Sequence, residues 1–430
     1  MSSDSSLSAL AGPTSTSAIW GNTPDMFNSQ TSMKFHDQLR ESYGSVCLVK
    51  GPFGANELWV SDPRAMSEII MKGHDDFKQP DWFLTWLRLV FGPAVITVFG
   101  DQHKIQRKIL NPVFTASHMR NLEAIPHRPI QKMKNVVDTM NETLQAIGII
   151  KKKKEALENG TLDSEVAAGN DIMTALLKQS LAVAPQDRMT DEEVLAQVNG
   201  LAFAGHDTTS SALSRTLHLL AEHQDVQVKL REEIRQAYNS YGKNLDYDQL
   251  NSLSYLDAVC RESLRLHSPA SAIAHTATSD WDLPLYYPVT AKDGKSVVTN
   301  IHVTKGTSIH LSIRAANMDE RTWGEDAGEF RPGRWLEPLP PSLSNARIPG
   351  VYSSTMTFSG GPRSCPGMKF SQLEMKLVLS NLVGSFQFDS SEDNIKWNDD
   401  GIVKPYIQHK DGSLSDEPAM LLRVTVTEES

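Results

Sequence analysis

One of the three cysteines of the chain, Cys365, lies in a segment whose composition suits a metal-binding thiolate. The segment Phe358–Gly367 reads FSGGPRSCPG, so the cysteine sits in a tight turn rich in glycine and proline. Pro366 suits the first position of a helix, where free N–H groups and the helix dipole favour a thiolate over a thiol. Arg363 can face an anionic group. The complete pattern favours a thiolate ligand of a metal over an inert loop cysteine.

A polar cluster interrupts a long apolar segment upstream. Residues 204–209 read AGHDTT, and Gly205, Asp207 and Thr208 are poor helix formers in the middle of a predicted buried helix. Such local conflicts concentrate at functional sites. A mid-helix threonine can turn its hydroxyl away from the hydrogen-bond ladder and loosen it like a bulge. The alternative is a polar kink without a function.

These two motifs resemble the cysteine-ligand loop and the oxygen-activating helix of the cytochrome P450 family. The resemblance implies a haem-thiolate monooxygenase in which Cys365 binds the iron of haem b. Phe358 and Gly367 belong to the same ligand loop and are implied to contact the cofactor. Thr208 is implied to hold a proton-donating water, and Asp207 is implied to feed that proton relay.

The resemblance also implies roles for three further groups of residues. Glu262 and Arg265 are three positions apart on a helix and would form, with Arg334, an internal ion-pair triad that holds the cysteine loop. The residues implied to contact the haem propionates are His103, Arg107, His275 and Arg363. The residues implied to line the substrate pocket are Leu201, Ala204, Gly205, Ala270 and Ala274. Alone, each histidine reads as a satisfied core or surface group, and the Glu262–Arg265 pair as an ordinary surface pair.

The elements that position these residues are predicted to be mostly helices. Thr190 and Glu193 match a capping box at the start of a helix that runs to about His223. Further helices are predicted at 225–238, at 254–268 and from Pro366 onward. Alternating or turn-bounded apolar patterns predict strands at 45–62 and at 420–429. The sequence thus predicts a mainly α fold with small β-sheets (α+β), which is the fold that the resemblance implies.

Two departures from the family qualify this prediction. Residues 1–30, rich in Ser, Thr and Gly, show no membrane helix and are predicted to be poorly ordered, while 31–430 are predicted to form a single haem-binding domain. Only 101 positions separate Arg107 from Thr208, an interval in which the family has several more helices. In this interval the sequence continues directly with a helical pattern over 133–154, which resembles a helix that comes late in the family's order. The alternative hypothesis is therefore a truncated relative that binds haem but is catalytically impaired.

Composition limits the remaining possibilities. The net charge of −10 disfavours binding to nucleic acid, and three cysteines disfavour a disulfide framework. The most apolar window, 82–99, is interrupted by Arg88, Gly92 and Pro93 and is interpreted as buried core or a pocket wall. Zinc-site and serine-hydrolase spacings are missing from the sequence, which disfavours a hydrolase.

The resemblance also implies partners. Electrons would come from an NADPH-dependent reductase, with cytochrome b5 as a further donor, and molecular oxygen would oxidise a small apolar organic substrate in secondary metabolism or xenobiotic oxidation. The lysines expected to attract the reductase on the cysteine side are Lys104, Lys108, Lys369 and Lys376. The family resemblance implies the surface of the endoplasmic reticulum, whereas the sequence without an anchor implies the cytoplasm.

Overall fold

The computed structural model describes residues 7–121 and 172–427. The helices are α1 Thr23–Phe27, α2 Ser32–Tyr43, α3 Pro63–Ser67, α4 Asp81–Phe91, α5 Gly100–Leu110, α6 Ala116–Asn121, α7 Ile172–Ala182, α8 Asp191–Glu222, α9 Gln224–Tyr241, α10 Tyr247–Ser252, α11 Ser254–Leu266, α12 Ile313–Asn317, α13 Glu320–Trp323, α14 Pro341–Ala346 and α15 Met368–Ser385. The strands are β1 Val46–Lys50, β2 Asn56–Val60, β3 Phe77–Lys78, β4 Ala272–Ala277, β5 Trp281–Thr290, β6 Val297–Val303, β7 Ser308–Ser312, β8 Gly350–Tyr352, β9 Thr355–Gly360, β10 Phe386–Ser390, β11 Asn394–Asp399, β12 Val403–Gln408 and β13 Leu422–Val426. The helix predicted over 133–154 lies outside the described residues.

The long helix α8 is the axis of the helical core. Its capping box forms as predicted: Glu193 N donates to Thr190 Oγ1 at 3.2 Å, and Thr190 N donates to Glu193 Oε2 at 2.9 Å. Helices α9, α11 and α15 pack against α8. The fully buried side chains at their contacts include Leu220, Leu230, Leu256, Met375 and Leu379. A 32-residue helix surrounded on several sides is a rigid support for the polar residues in its middle.

A five-stranded sheet of order β1-β2-β7-β4-β3 forms the second core. Strands β2 and β7 are parallel, with Leu58 opposite Ile309 and Val60 opposite Leu311, and all four side chains are buried. The other sheets are the two-stranded pairs β5-β6, β8-β9, β10-β13 and β11-β12. The prediction of a mainly helical fold with small sheets is therefore confirmed.

The prediction of disorder over residues 1–30 is wrong for residues 7–30. Leu7 and Leu10 are buried in the core of the sheet. Leu48 N donates to the carbonyl of Ala11 at 3.0 Å, which ties the segment to strand β1. A Cβ on Gly12 would collide with the carbonyl of Leu48. The glycine content that indicated disorder here permits close packing of one backbone on another.

The apolar window 82–99 is only partly buried. Helix α4 buries Leu87 and Phe91, whereas Trp82 and Leu89 are 66% and 82% exposed. The interpretation of the whole window as buried core or a pocket wall is therefore wrong for the outer face of α4. Over 7–121 and 172–427, we find no helix whose length and apolarity would let it cross a bilayer.

Candidate active site

The cysteine loop joins strand β9 to helix α15. Cys365 N donates to the carbonyl of Phe358 at 3.0 Å and closes the loop over a short 3₁₀ turn, Gly361–Arg363. Gly361 has a φ of +66°, and a Cβ there would collide with the carbonyl of Ile70 in the π-helical turn Glu68–Lys72. This position therefore requires glycine. Helix α15 begins at Met368, two residues later than the predicted start at Pro366.

Opposing effects act on the Cys365 thiol. The residue is exposed on one face, yet the crowded protein around the rest of the side chain raises the pKa of the thiol. The N–H groups of Gly367 and Met368 and the charge of Arg107 lower that pKa in opposition. These N–H groups and the Arg107 charge stabilise the ionised form of the sulfur. The loop can therefore bind a cation through the Cys365 thiolate once the thiol proton is lost.

The predicted ion-pair triad assembles in the interior. Arg265 Nη2 lies 2.8 Å from Glu262 Oε1, and neither side chain is exposed to solvent. Arg334 Nε lies 3.2 Å from the same oxygen, and Trp335 Nε1 donates to Glu262 Oε2 at 2.9 Å. Each oxygen of this buried carboxylate accepts at least two hydrogen bonds, which is the condition under which a buried charge is tolerated.

The triad is connected to the cysteine loop through Asn317. Arg265 Nη1 donates to the carbonyl of Asn317 at 2.9 Å. The side-chain Oδ1 of Asn317 accepts from Met356 N at 2.7 Å, and its Nδ2 donates to Thr357 Oγ1 at 3.1 Å. Met356 and Thr357 belong to β9, the strand that leads into the loop. Sequence reasoning missed Asn317 because nothing near it in the chain marks this contact.

All four propionate candidates line one cavity. His103, Arg107, His275 and Arg363 share its wall with Ser364 and Pro366, the neighbours of Cys365. Within the described part of the chain, the lining includes no Asp or Glu. Two guanidinium groups therefore face the same space without a carboxylate partner there, an arrangement that is costly unless an anion enters.

The two arginines are held by backbone carbonyls. Arg107 Nη1 donates to the carbonyl of Ser364 at 2.7 Å, and Arg363 Nη1 donates to that of Val98 at 3.1 Å. The Arg363 guanidinium also lies over the ring of Phe99, 4.1 Å from its centroid. Burial and the neighbouring charge of Arg107 lower the pKa of Arg363 to about 10. Both groups remain cationic at neutral pH.

The two histidines of the cavity are neutral at neutral pH. Burial, and then the charges of Arg363 and Arg107, lower the pKa of His103 to about 4. Burial and Arg363 lower the pKa of His275 to about 4 as well. The Nδ1 atom of His275 is buried without a hydrogen-bond partner among the described residues. An unpartnered ring nitrogen, together with Oε1 of Gln79 in the same wall, marks a place where a polar ligand group is expected.

The helix α8 remains regular through the polar cluster. Thr208 Oγ1 donates back to the carbonyl of Ala204 at 2.6 Å, yet the helix continues without a bulge, so the expected bulge is wrong for this structure. A Cβ on Gly205 would meet no atom within 4 Å, which leaves open space beside the helix there. The threonine oxygen keeps a lone pair for a further donor.

Asp207 has a cationic partner that the sequence did not reveal. Lys404 Nζ lies 3.0 Å from its Oδ2, and His206 Nδ1 lies 3.1 Å from its Oδ1. Partial burial opposes ionisation, but the hydrogen bonds from His206 and Lys404 prevail and lower the pKa of Asp207. Lys404 is on β12, 197 positions away, so no local pattern could have indicated it.

The substrate-pocket candidates do not share the cavity of the four propionate candidates. Leu201 packs in a separate apolar cluster with Val194 and Ile109, and Ala204 is exposed. Ala274 lies on β4 between two residues that line the cavity, so its side chain projects to the opposite face of the strand. Gly205 and Ala270 also lie outside the lining.

One of the four lysines expected to attract a reductase is not available. Lys376 is 2% exposed, and its Nζ lies 2.7 Å from Asp257. The prediction for Lys376 is therefore wrong: it pairs inside the core between α15 and α11. Lys104, Lys108 and Lys369 are exposed.

Comparisons with known proteins agree with one another. Residues 117–410 match the family model described as Cytochrome P450. A ganoderic acid synthetase of Ganoderma lucidum is 35% identical, over 98% of this chain and 94% of the relative. The cytochrome P450 monooxygenases 212 and 219 of Postia placenta are 33% and 34% identical, over 93% and 97% of this chain and 91% and 93% of the relatives.

The lengths of these alignments bear on the predicted shortening. They span 500 to 521 aligned positions, whereas this chain has 430 residues. At least 70 aligned positions, 500 less 430, are therefore gaps in this chain where the relative has a residue. The short interval between Arg107 and Thr208 is consistent with this difference.

Proposed function

This chain belongs to the cytochrome P450 family and is a monooxygenase, and from that premise we propose that Cys365 binds the iron of haem b. The overall reaction would take two electrons from NADPH through a reductase, with two protons and one molecule of oxygen. One oxygen atom would enter an apolar organic substrate, and the other would leave as water. Cytochrome b5 is a further electron donor that this proposal allows.

The observation that carries the proposal is the unpaired positive charge beside Cys365. Arg107 and Arg363 face one cavity without a carboxylate in its described lining. Two propionates would supply the missing negative charge, and His275 Nδ1 and His103 would add polar contacts. Gly367 N–H and Met368 N–H would stabilise the Cys365 thiolate against the iron. The donor set of this cavity therefore fits haem b.

When bound, the haem would activate molecular oxygen, and residues of α8 would deliver protons to that site. The Thr208 oxygen would accept a hydrogen bond from a water molecule while its own O–H donates to the Ala204 carbonyl. Asp207, ionised between His206 and Lys404, can accept a proton from solvent and pass it toward Thr208. Phe358 would hold the start of the cysteine loop in place, since its ring packs edge-on against Tyr352.

The Thr208→Ala variant tests the proton relay. We expect it to consume NADPH at a rate near that of the wild type but to form several-fold less product per NADPH, because protons would no longer be delivered in an ordered way. Product and NADPH are measured together, with peroxide as the lost fraction. Ser210→Ala is the matched control, since its hydroxyl also bonds to the helix backbone. An unchanged product yield in Thr208→Ala would count against the relay.

The Arg363→Gln variant tests the propionate assignment. Charged hydrogen bonds are worth about 1.5–3 kcal/mol, so we expect haem dissociation to become about tenfold or more faster. Transfer of haem to apomyoglobin measures that rate. The control is Arg64→Gln, which changes an exposed residue in the first turn of α3. Equal rates of haem dissociation in the two variants would mean that Arg363 does not contact a haem propionate.

The substrate is proposed from the relatives. The name of the Ganoderma relative concerns ganoderic acid synthesis, which supports a role in fungal secondary metabolism for this chain, with xenobiotic oxidation as the other candidate. A small apolar substrate would be admitted near Leu201, Ala204, Gly205, Ala270 and Ala274. Docking of the reductase would use Lys104, Lys108 and Lys369, at the membrane of the endoplasmic reticulum or in the cytoplasm.

A second candidate function is haem binding without turnover. It is favoured by the exposed apolar face of α4, with Trp82 and Leu89, and by the 70 or more aligned positions that this chain lacks. Incubation with NADPH, a fungal reductase and ¹⁸O₂ separates the two. One ¹⁸O atom per product molecule supports the monooxygenase, whereas bound haem without labelled product from any apolar substrate supports the second candidate.

A further inference from the structure

A second cavity of about 140 Å³ lies apart from the candidate active site. It is enclosed by the later half of α8, the segment after α11 and strand β12. Its polar wall includes Arg215 and Ser268, and its apolar wall includes Leu266 and Trp397. It shares no lining residue with the cavity beside Cys365.

The Arg215 guanidinium is a partly buried cation with few hydrogen-bond partners. Its Nη2 donates to Nε2 of His267 at 3.1 Å, while its Nε is buried and has no hydrogen-bond partner in the described residues. The ring of Trp397 covers it, 4.7 Å from the ring centroid to Cζ. Burial lowers its pKa to about 10, although Glu222 acts in the opposite direction. Arg215 is therefore charged at neutral pH, and no carboxylate among the described residues forms an ion pair with it.

Ser268 is an independent second sign of a ligand. The residue is 5% exposed, and its hydroxyl oxygen is buried without a hydrogen-bond partner among 7–121 and 172–427. Buried hydroxyls in folded proteins are nearly always satisfied, by protein or by a bound molecule. Arg215 and Ser268 line the same cavity from different elements.

The other charged groups nearby do not supply the anion. Arg314 also lines the cavity, but its guanidinium makes two hydrogen bonds to Asp37, at 3.1 and 3.0 Å. Asp399 accepts from the Ser271 hydroxyl and from Gly401 N. Within the part of the chain that is described, no Asp or Glu lines this cavity. The positive charge of Arg215 therefore has no carboxylate opposite it in the lining, although Glu222 acts on it from outside the cavity.

We propose that this cavity binds the carboxylate of a small aromatic or alicyclic acid. A guanidinium presents a planar pair of donors that matches a carboxylate. A cavity of about 150 Å³ holds a benzene ring, and this cavity, of about 140 Å³, is of similar size and suits a ligand with a single ring. Leu266 and Trp397 provide an apolar wall for that ring. The site is a binding site, and its occupation does not depend on turnover at Cys365.

Calorimetric titration of the haem-loaded protein with benzoate tests the proposal, with benzyl alcohol as the uncharged ligand. We expect benzoate to bind at one site and benzyl alcohol to bind at least about tenfold more weakly, because charge-assisted hydrogen bonds are the strong ones. Arg215→Gln should weaken benzoate about tenfold or more, and Ser268→Ala a few-fold. Ser211→Ala is the matched control: Ser211 lines the same cavity, but its hydroxyl already donates to the carbonyl of Val403.

Ser268→Ala keeps the test decisive if Arg215→Gln does not fold, since the Ser268 hydroxyl has no bond to lose in the described structure. Thermal unfolding checks that the variants are intact. Equal affinity for benzoate and benzyl alcohol, or unchanged benzoate affinity in both Arg215→Gln and Ser268→Ala, overturns the proposal. Displacement of benzoate by inorganic phosphate at equal or lower concentration overturns the assignment to a carboxylate.

Discussion

The Cys365→Ala variant is expected to lose the thiolate-type, red-shifted band in the carbon monoxide difference spectrum of the reduced protein, together with all monooxygenase activity. The reason is chemical: a thiolate pushes electron density onto the iron, and no alanine atom can replace that ligand. Residual haem held through Arg107 and Arg363 would give a band of another type. The measurement compares the reduced spectra at equal haem concentration.

Two other cysteines provide the control. Cys47 and Cys260 are both fully buried, and burial raises the pKa of the Cys260 thiol to about 12 and that of Cys47 further still. Neither thiol is suited to ionise, so Cys260→Ala and Cys47→Ala should keep the thiolate band. A thiolate band that persists in Cys365→Ala and disappears in either control would falsify the assignment of the ligand.

The Glu262→Gln variant is expected to lower the free energy of unfolding by about 3–5 kcal/mol, because it leaves the buried Arg265 guanidinium without a carboxylate and leaves Arg334 with Asp326 alone. Arg265 and Arg334 are 0% and 2% exposed and both contact Glu262. The loss is measured by urea unfolding and by the thermal midpoint. Because the triad reaches β9 through Asn317, we also expect faster haem loss.

The matched control is Glu337→Gln, which removes a carboxylate from an exposed pair. Glu337 lies 3.0 Å from Arg331, and the two side chains are 59% and 45% exposed. Exposed pairs contribute about 0–1 kcal/mol, so the control should unfold nearly as the wild type does. A loss in Glu262→Gln no larger than that of Glu337→Gln would mean that the triad does not hold the fold.

Features set by short stretches of chain were predictable from the sequence. The capping box of Thr190 and Glu193 and the periodic pattern after it determined the start and end of α8, because these interactions occur within one or two helical turns. The glycine and proline of the segment Phe358–Gly367 determined a tight turn before a helix. Together with the resemblance, such local patterns led to the family and to the fold class, both of which are confirmed. The roles of the site residues stay predictions.

Features set by contacts between distant residues were decided only by the tertiary structure. The pairing of Asp207 with Lys404 and the bridge from Arg265 through Asn317 to β9 join residues far apart in the chain. Lys376 looked like a surface cation and is buried against Asp257. Burial and charge pairing depend on which surfaces meet, and a pattern of single residues does not encode that.

The same reason explains the packing of residues 7–30 and the cavity at Arg215. Composition alone indicated disorder for the first, although its glycines permit close contact with β1. Nothing near Arg215 in sequence indicates that Ser268 and Trp397 surround it. The sequence by itself determined the chemistry that each short motif can offer. The tertiary structure decided which charges lack a partner, because only the arrangement of elements in space brings them together or keeps them apart.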